Sequence, residues 1–303
     1  MAFLYRLLKN SNFIFLLAFC FGLVFGDYAP SFKRYILPSL VFIMSLSTTQ
    51  ITFAELAHIG NYLQDIIFIF VINYIFLSGL ILLGTHLLIR DHDLYVGFVV
   101  MASIPPAVAV LPFTYLLRGE MMVSLIGSAS LYLLALGMAP LISFFFLDGG
   151  NIEPAKLISI LFQLILIPFV VSRLLLKWKR FHQVKQNTPI LINVAFFLII
   201  YVVIGVNRST FFGHFDVLIP LSLIAFLRTF VSGHLVDLFA RLVGTERQRR
   251  MSYVLFGSFK NLGLAVTIAI VLFNDRASIP SAVSIPFEFL FFIWFNYFQK
   301  KWG

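Results

Sequence analysis

Charge is what this sequence has least of: Asp, Glu, Lys and Arg make up only 12% of its 303 residues. A soluble globular domain carries roughly 25%, so a water-facing surface over the whole molecule is excluded. Cysteine is nearly absent as well. The single Cys20 lies in an apolar run, which excludes a disulfide framework and a cysteine metal site and leaves the thiol as a small buried hydrophobe. No hydrophilic stretch is long enough for a separate soluble domain. Catalytic signatures are missing too: there is no H-E-x-x-H, no G-x-S-x-G and no P-loop, and no hydroxyl has a base at motif spacing. An enzyme is therefore not expected, and nothing implies a cofactor or a metal.

What the sequence does have is apolar length. It is 60% hydrophobic with 37 Phe residues, and its mean hydropathy is +0.98. Ten apolar runs can be marked: Phe13–Gly26, Tyr35–Thr49, Ile66–Leu88, Leu94–Leu117, Met121–Leu147, Leu157–Leu176, Pro189–Val206, Val217–Val236, Met251–Phe273 and Ile279–Gln299. About 20 such residues cross the hydrocarbon core as a helix. The first two are short and extend into flanks such as Phe3–Leu8. A barrel would need alternating segments of about 10 residues, whereas these runs are apolar on all sides. The expectation is an all-α multi-pass membrane protein, a single integral domain over residues 1–303.

The formal charge of +9 sits in short loops between the runs. That is a membrane-topology pattern, not a face that tracks nucleic acid. With the N-terminus inside, loops on that side carry 14 Lys and Arg against 6 on the other. Both termini are therefore expected in the cytoplasm, in a plasma or bacterial inner membrane. Arg6 and Lys9 ahead of an apolar stretch ending at Gly26 also fit a signal peptide, but the same stretch serves as the first span of the count.

Ten spans divide into five and five, about residues 1–150 and 151–303. An odd-numbered unit makes the second half inverted relative to the first, as in many secondary transporters. The fourth and ninth runs correspond, and both are interrupted. Leu94–Leu117 contains Pro105, Pro106 and Pro112; Met251–Phe273 contains Gly257, Lys260, Asn261 and Gly263. Paired prolines remove amide donors and bar the preceding residue from helical geometry, so a break is expected there. Freed backbone groups at mid-membrane survive only against protein or a wet cavity. Two matched breaks point to a site at the midplane.

Arg228, Lys260 and Glu288 each fall near the middle of their runs and sum to +1. An ionisable group at that depth costs at least ~2.5–3.5 kcal/mol unless partnered. One reading is a structural network in which Glu288 pairs with Lys260 or Arg228. The other is that the surplus charge serves an anionic substrate or replaces a cation. Asn73 lies in the third run, and Ser124 and Ser128 share one face of the fifth at i, i+4. Such groups often do no more than bond the preceding turn or a neighbouring helix. Asp237 and Arg241 read as an interfacial pair, and His234 as a packed polar residue.

Three stretches resemble the bile acid:sodium symporter family and its wider bile acid/arsenite/riboflavin-type transporter superfamily. They are ASIPPAVAVLPFTYLLRGEMMVSLIGSA in the fourth and fifth runs, GSFKNLGLAVTIAIVLF in the ninth, and LVFIMSLSTTQITFAEL in the second. The resemblance implies two inverted five-helix repeats, with helices 4 and 9 unwound and crossing. It also implies a panel of helices 1, 2, 6 and 7 and a core of helices 3–5 and 8–10. An organic anion would bind between panel and core near the crossing, which nominates Lys260, Asn261, Pro105, Pro106 and Thr114 as substrate-binding positions.

The departures from the family pattern are as informative. The family's sodium-binding glutamate aligns with Phe256, the glutamine before its asparagine with Lys260, and its Ser-Asn pair with Val110 and Leu111. Asn261, Ser124 and Ser128 are retained, and Asn73 keeps a carboxamide. Two like charges about 4 Å apart repel by roughly 4 kcal/mol at an effective dielectric of 20, so sodium beside a charged Lys260 is disfavoured. The sequence thus reads as a sodium-independent secondary transporter of a small organic anion, in which Lys260 stands for the sodium charge and Arg228 and Glu288 complete the charge network. A lysine that loses its proton in the cycle would make it proton-coupled; one that stays charged, a uniporter or exchanger. The alternatives are a non-transporting membrane sensor on the same fold, or a symporter with a relocated sodium site.

Overall fold

In the computed structural model, which describes residues 2–49, 59–147, 154–178, 180–181 and 185–302, every regular element is helical. Two short helices open the chain, α1 (Ala2–Lys9) and α2 (Ser11–Val24). Asn10 separates them because its side chain accepts the Phe13 N–H and caps α2. A 3₁₀ stretch, Gly26–Tyr35, then leads into α3 (Ile36–Thr48), and the chain bends there by 120°. The extension toward Phe3–Leu8 is therefore a separate helix.

Next come α4 (Gly60–Leu88), α5 (His92–Ser103), α6 (Val110–Leu116) and α7 (Met121–Phe146). After α8 (Pro154–Lys177) and α9 (Thr188–Val206), a short α10 (Arg208–Gly213) precedes α11 (Phe215–Leu242). The chain ends with α12 (Arg247–Phe256), α13 (Leu262–Leu272) and α14 (Ile279–Trp302). Both α4 and α11 contain a π turn, Val71–Leu77 and Leu227–Val231 respectively.

Five helices are long and apolar enough to cross a bilayer by themselves, and a sixth span is made if the bent pair of α2 and α3 is counted as one. Two of the ten runs are missing from this count for a physical reason. The fourth run is divided into α5 and α6, and the ninth into α12 and α13, so no half reaches the ~30 Å of a hydrocarbon core. Side chains such as Phe144, Phe145 and Ile219 face outward, about two-thirds exposed, as a lipid-facing surface requires. Cys20 also faces outward and is not the buried filler expected of it.

Helix α9 packs along α2 and α3, and α8 along α3, while α4, α5, α7, α11, α13 and α14 pack among themselves. Polar contacts gather at two ends. At one, Arg208 meets Asp27 at 2.9 Å, Arg276 meets Asp91 at 2.8 Å, and Lys33 pairs with Asp275. At the other, Arg241 and Arg250 grip Asp237 at 3.0 and 2.8 Å, and the Glu120 N–H donates to the Gln248 carbonyl. Each contact joins segments that the Lys/Arg count assigns to the same side. Asp237 and Arg241 form the expected pair, and His234 accepts the Trp294 indole N–H while packed against phenylalanines.

Candidate functional site

The site begins with the two breaks. Helix α5 stops at Ser103, and Ile104 is extended (φ −81°, ψ 161°) ahead of Pro105 and Pro106, as the residue before proline must be. Helix α12 stops at Phe256, and Asn261 restarts the chain by capping α13, its Oδ1 accepting the Leu264 N–H at 3.0 Å. The breaks touch directly, because the Asn261 N–H donates to the Pro105 carbonyl at 3.0 Å.

Lys260 fills the space between them and is completely buried. Its Nζ lies 2.9 Å from Asn73 Oδ1, 2.9 Å from Ser78 Oγ, 3.1 Å from the Ala102 carbonyl and 2.9 Å from the Ile104 carbonyl. The Tyr74 ring lies 4.6 Å from the same nitrogen, in cation–π range. All four oxygens are acceptors toward it. Ser78 gives its own proton to Ala102 O (2.6 Å), and Asn73 gives its amide N–H to the Phe256 carbonyl (2.7 Å). An ammonium has three N–H donors for this set, whereas a neutral amine would turn a lone pair on one of the oxygens. The four acceptors can take up all three donors of the charged form.

The supports of the breaks match in pairs. Ser78 follows the π turn of α4 and bonds the carbonyl of Ala102, near the end of α5. Ser232 follows the π turn of α11 and bonds the carbonyl of Gly257, at the end of α12. In each half, then, a serine after a π turn takes up a carbonyl that the next helix, now broken, no longer uses.

Glu288 does not touch the ammonium. Its Oε1 accepts Arg228 Nη2 at 2.8 Å and the backbone N–H of Lys260 at 3.1 Å. Of the two pairings open to Glu288, the structure therefore has the one with Arg228. This cancels two of the three buried charges and leaves Lys260 with dipoles alone. Among the described residues no carboxylate contacts its Nζ.

Two cavities meet the first break, and they share Ser47, Val108 and Leu111. One, of about 300 Å³, lies between α3, α7 and α8 and is apolar except for Ser47, Thr48, Ser128 and Tyr132. The other, of about 620 Å³, lies between α2 and α9 on one side and α6 and α14 on the other, with Lys9, Asn10 and Ser11 in its wall. Of the nominated residues only Ser128 lines either of these two cavities, with a buried hydroxyl that has no hydrogen-bond partner among the described residues. Pro105, Pro106 and Phe256 are buried and line neither cavity. Thr114 bonds Ser124 at 2.7 Å and the Val110 carbonyl, away from either space. Asn261 uses its Nδ2 on the Tyr132 hydroxyl at 2.8 Å, so it reaches the smaller cavity only through that ring.

Sequence reasoning missed Ser78, Tyr132 and Ser232. Asn73 and Ser78 are five residues apart, about 140° around a regular helix, so spacing gave no reason to group them. The π turn between them closes that angle and brings Ser78 Oγ to 3.0 Å from the Asn73 carbonyl.

No curated protein matches the chain significantly. A family model does: that of the SBF-like CPA transporter family covers residues 16–288, and with them both breaks, Lys260, Arg228 and Glu288. Its members are transporters, not enzymes, which agrees with the apolar helices described above. The chain belongs to the SBF-like CPA transporter family, of the bile acid:sodium symporter type.

Proposed function

We propose that the protein is a secondary transporter of a small organic anion that works without sodium, with the Lys260 ammonium as its resident cation. One observation carries this reading: four oxygens surround Lys260 Nζ at 2.9–3.1 Å, with no carboxylate among them. A set of oxygens converging at the junction of two unwound segments is what a small cation would seek. A tethered cation already fills it. A sodium ion about 4 Å away would meet roughly 4 kcal/mol of repulsion, and Phe256 offers no carboxylate to offset that.

The matched serine links and π turns support two inverted five-helix repeats, with the breaks as the crossing. The packing of α2, α3, α8 and α9 against one another supports a panel, and both cavities lie between it and the remaining helices. We place the end bearing Lys9 and Arg118 in the cytoplasm, from the Lys and Arg excess. The substrate then occupies the space around Val108, Leu111 and Ser128. Lys260 acts on it as a fixed positive charge behind the wall, not by direct contact.

The test is uptake of candidate organic anions into proteoliposomes, with potassium substituted for sodium. Equal uptake in both salts is expected. Uptake that collapses without sodium overturns the reading.

A further inference from the structure

Ser278, in the 3₁₀ turn just before α14, is followed on that helix by Ser281, Ser284 and Glu288 at spacings of three, three and four, which places them within about 120° of one face. All three serines are completely buried. Ser278 sits at the end that holds Arg276 and Asp91, where its Oγ accepts Asn207 Nδ2 at 2.9 Å and donates to the Asp275 carbonyl. The hydroxyls of Ser281 and Ser284 have no hydrogen-bond partner among the described residues. Several helical hydroxyls in this chain bond the carbonyl one turn back, as Ser45 does to Val41 and Thr267 to Gly263. These two do not, so a buried polar line runs along one face from one end of the molecule to Glu288.

At the head of that line the ion pair is incomplete. Glu288 uses Oε1 for both Arg228 and the Lys260 N–H, and Arg228 Nε and Nη1 are buried without partners. Charged and titratable neighbours are few. From α11 the carboxylate faces Arg228, and from the second break Lys260, whose ammonium turns toward α4. Helix α13 has no titratable residue, those of α5 (His92, Asp93, Tyr95) lie at its far end, and Tyr201 of α9 bonds the Phe25 carbonyl.

We propose that Glu288 is the proton-binding group of the transport cycle, reached through a hydrated track along Ser281 and Ser284. This rests on the reading of the protein as a secondary transporter. A proton passes from hydronium to the free carboxylate oxygen of Glu288, forming the acid and leaving water. The neutral acid weakens its hold on Arg228 and on the Lys260 N–H, so protonation acts directly on the backbone of the second break.

The test uses the full chain in lipid nanodiscs and needs no substrate, so its outcome is separate from that of the sodium experiment. Infrared difference spectra after a pH jump should contain a buried carboxylic-acid band that Glu288→Gln removes. Identical spectra for the two proteins overturn the proposal. Should E288Q not fold, the double variant Ser281→Val with Ser284→Val fills the track: the band should keep its size and rise several-fold more slowly. An unchanged rate overturns the track.

Discussion

Replacing Lys260 with methionine keeps most of the side-chain volume and removes the charge, which isolates what the ammonium does for the two breaks. Two of its four oxygen partners have a second donor or role: the Ala102 carbonyl keeps Ser78, and the Ser78 hydroxyl keeps its own donation. Asn73 Oδ1 and the Ile104 carbonyl have no other donor among the described residues. A buried acceptor left unsatisfied costs about 1–3 kcal/mol, so the pair gives about 2–6 kcal/mol. Relief from burying a charge opposes this, and a well-packed apolar replacement of a whole ion pair can be neutral or better. Here only the cation is removed and its acceptors stay, so destabilisation should win. At about 2 °C per kcal/mol for a chain of this size, Lys260→Met should melt roughly 4–12 °C lower in detergent. The assay is a thermal-shift series read by size-exclusion chromatography. A midpoint equal to or above that of the parent would refute the cage as a stabilising device.

Other expectations follow from the same contacts. Ser78→Ala should destabilise more than Ser232→Ala, because Ser78 also accepts from a charged donor (about 1.5–3 kcal/mol) while Ser232 bonds only a neutral carbonyl (about 1 kcal/mol); paired thermal-shift curves give the order. Gly97→Ala would set a methyl 2.1 Å from the Ala277 carbonyl oxygen, so that α5 and α14 must part, whereas Gly137→Ala meets nothing within 4 Å. The first should lower the yield of folded protein, and the second should leave it unchanged or raise stability by up to ~1 kcal/mol. The Asp91 carboxyl supplies a pH signature. Burial alone would raise its pKa, but the Arg276 hydrogen bond, the Leu94 N–H and the Arg276 charge outweigh that and hold it below the ordinary value. Its folded-state pKa is thus depressed, so its contribution is full above the unfolded value of about 3.9 and is lost as pH falls through the lower folded value. Arg276→Met should flatten the acid limb of a melting-temperature profile; an unchanged limb would contradict this.

Much of the arrangement was legible in the sequence because it follows from local rules. Pro105-Pro106 in the middle of an apolar run interrupts a helix there, and a lysine amid apolar residues demands partners in any fold. What those partners are was not legible. Glu288 could have met Lys260 or Arg228, and only the packing of α11 against α14 decides for Arg228. Ser78 was hidden by a π turn, an irregularity that the 3.6-residue period does not announce. Thr114 and Ser128 both carry hydroxyls in the segment resembling the family, yet one is turned into the α6–α7 contact and the other into a cavity. Cys20 shows the same limit: an apolar run tells that a helix is in lipid, not which of its residues face the lipid.

The difference between a bound cation and a tethered one decides how such a transporter can do work. A dissociable ion couples transport to its gradient because its occupancy differs between the two sides of the cycle. Lys260 cannot leave, so while it stays charged it can neutralise an incoming anion or steady the breaks, but it cannot carry gradient energy. If the carrier concentrates its substrate, the energy must enter through another group whose charge changes, or through exchange for a second anion. Among the described residues no carboxylate other than Glu288 lies at the breaks. Because Glu288 holds the Lys260 N–H at 3.1 Å, any change in its charge is felt at once in the backbone that the ammonium steadies. A Glu288→Gln carrier should therefore still exchange anions across the membrane yet no longer respond to an imposed pH gradient. Proteoliposomes preloaded with the transported anion separate these two activities, and pH-driven uptake that survives in E288Q would place the proton-binding group elsewhere.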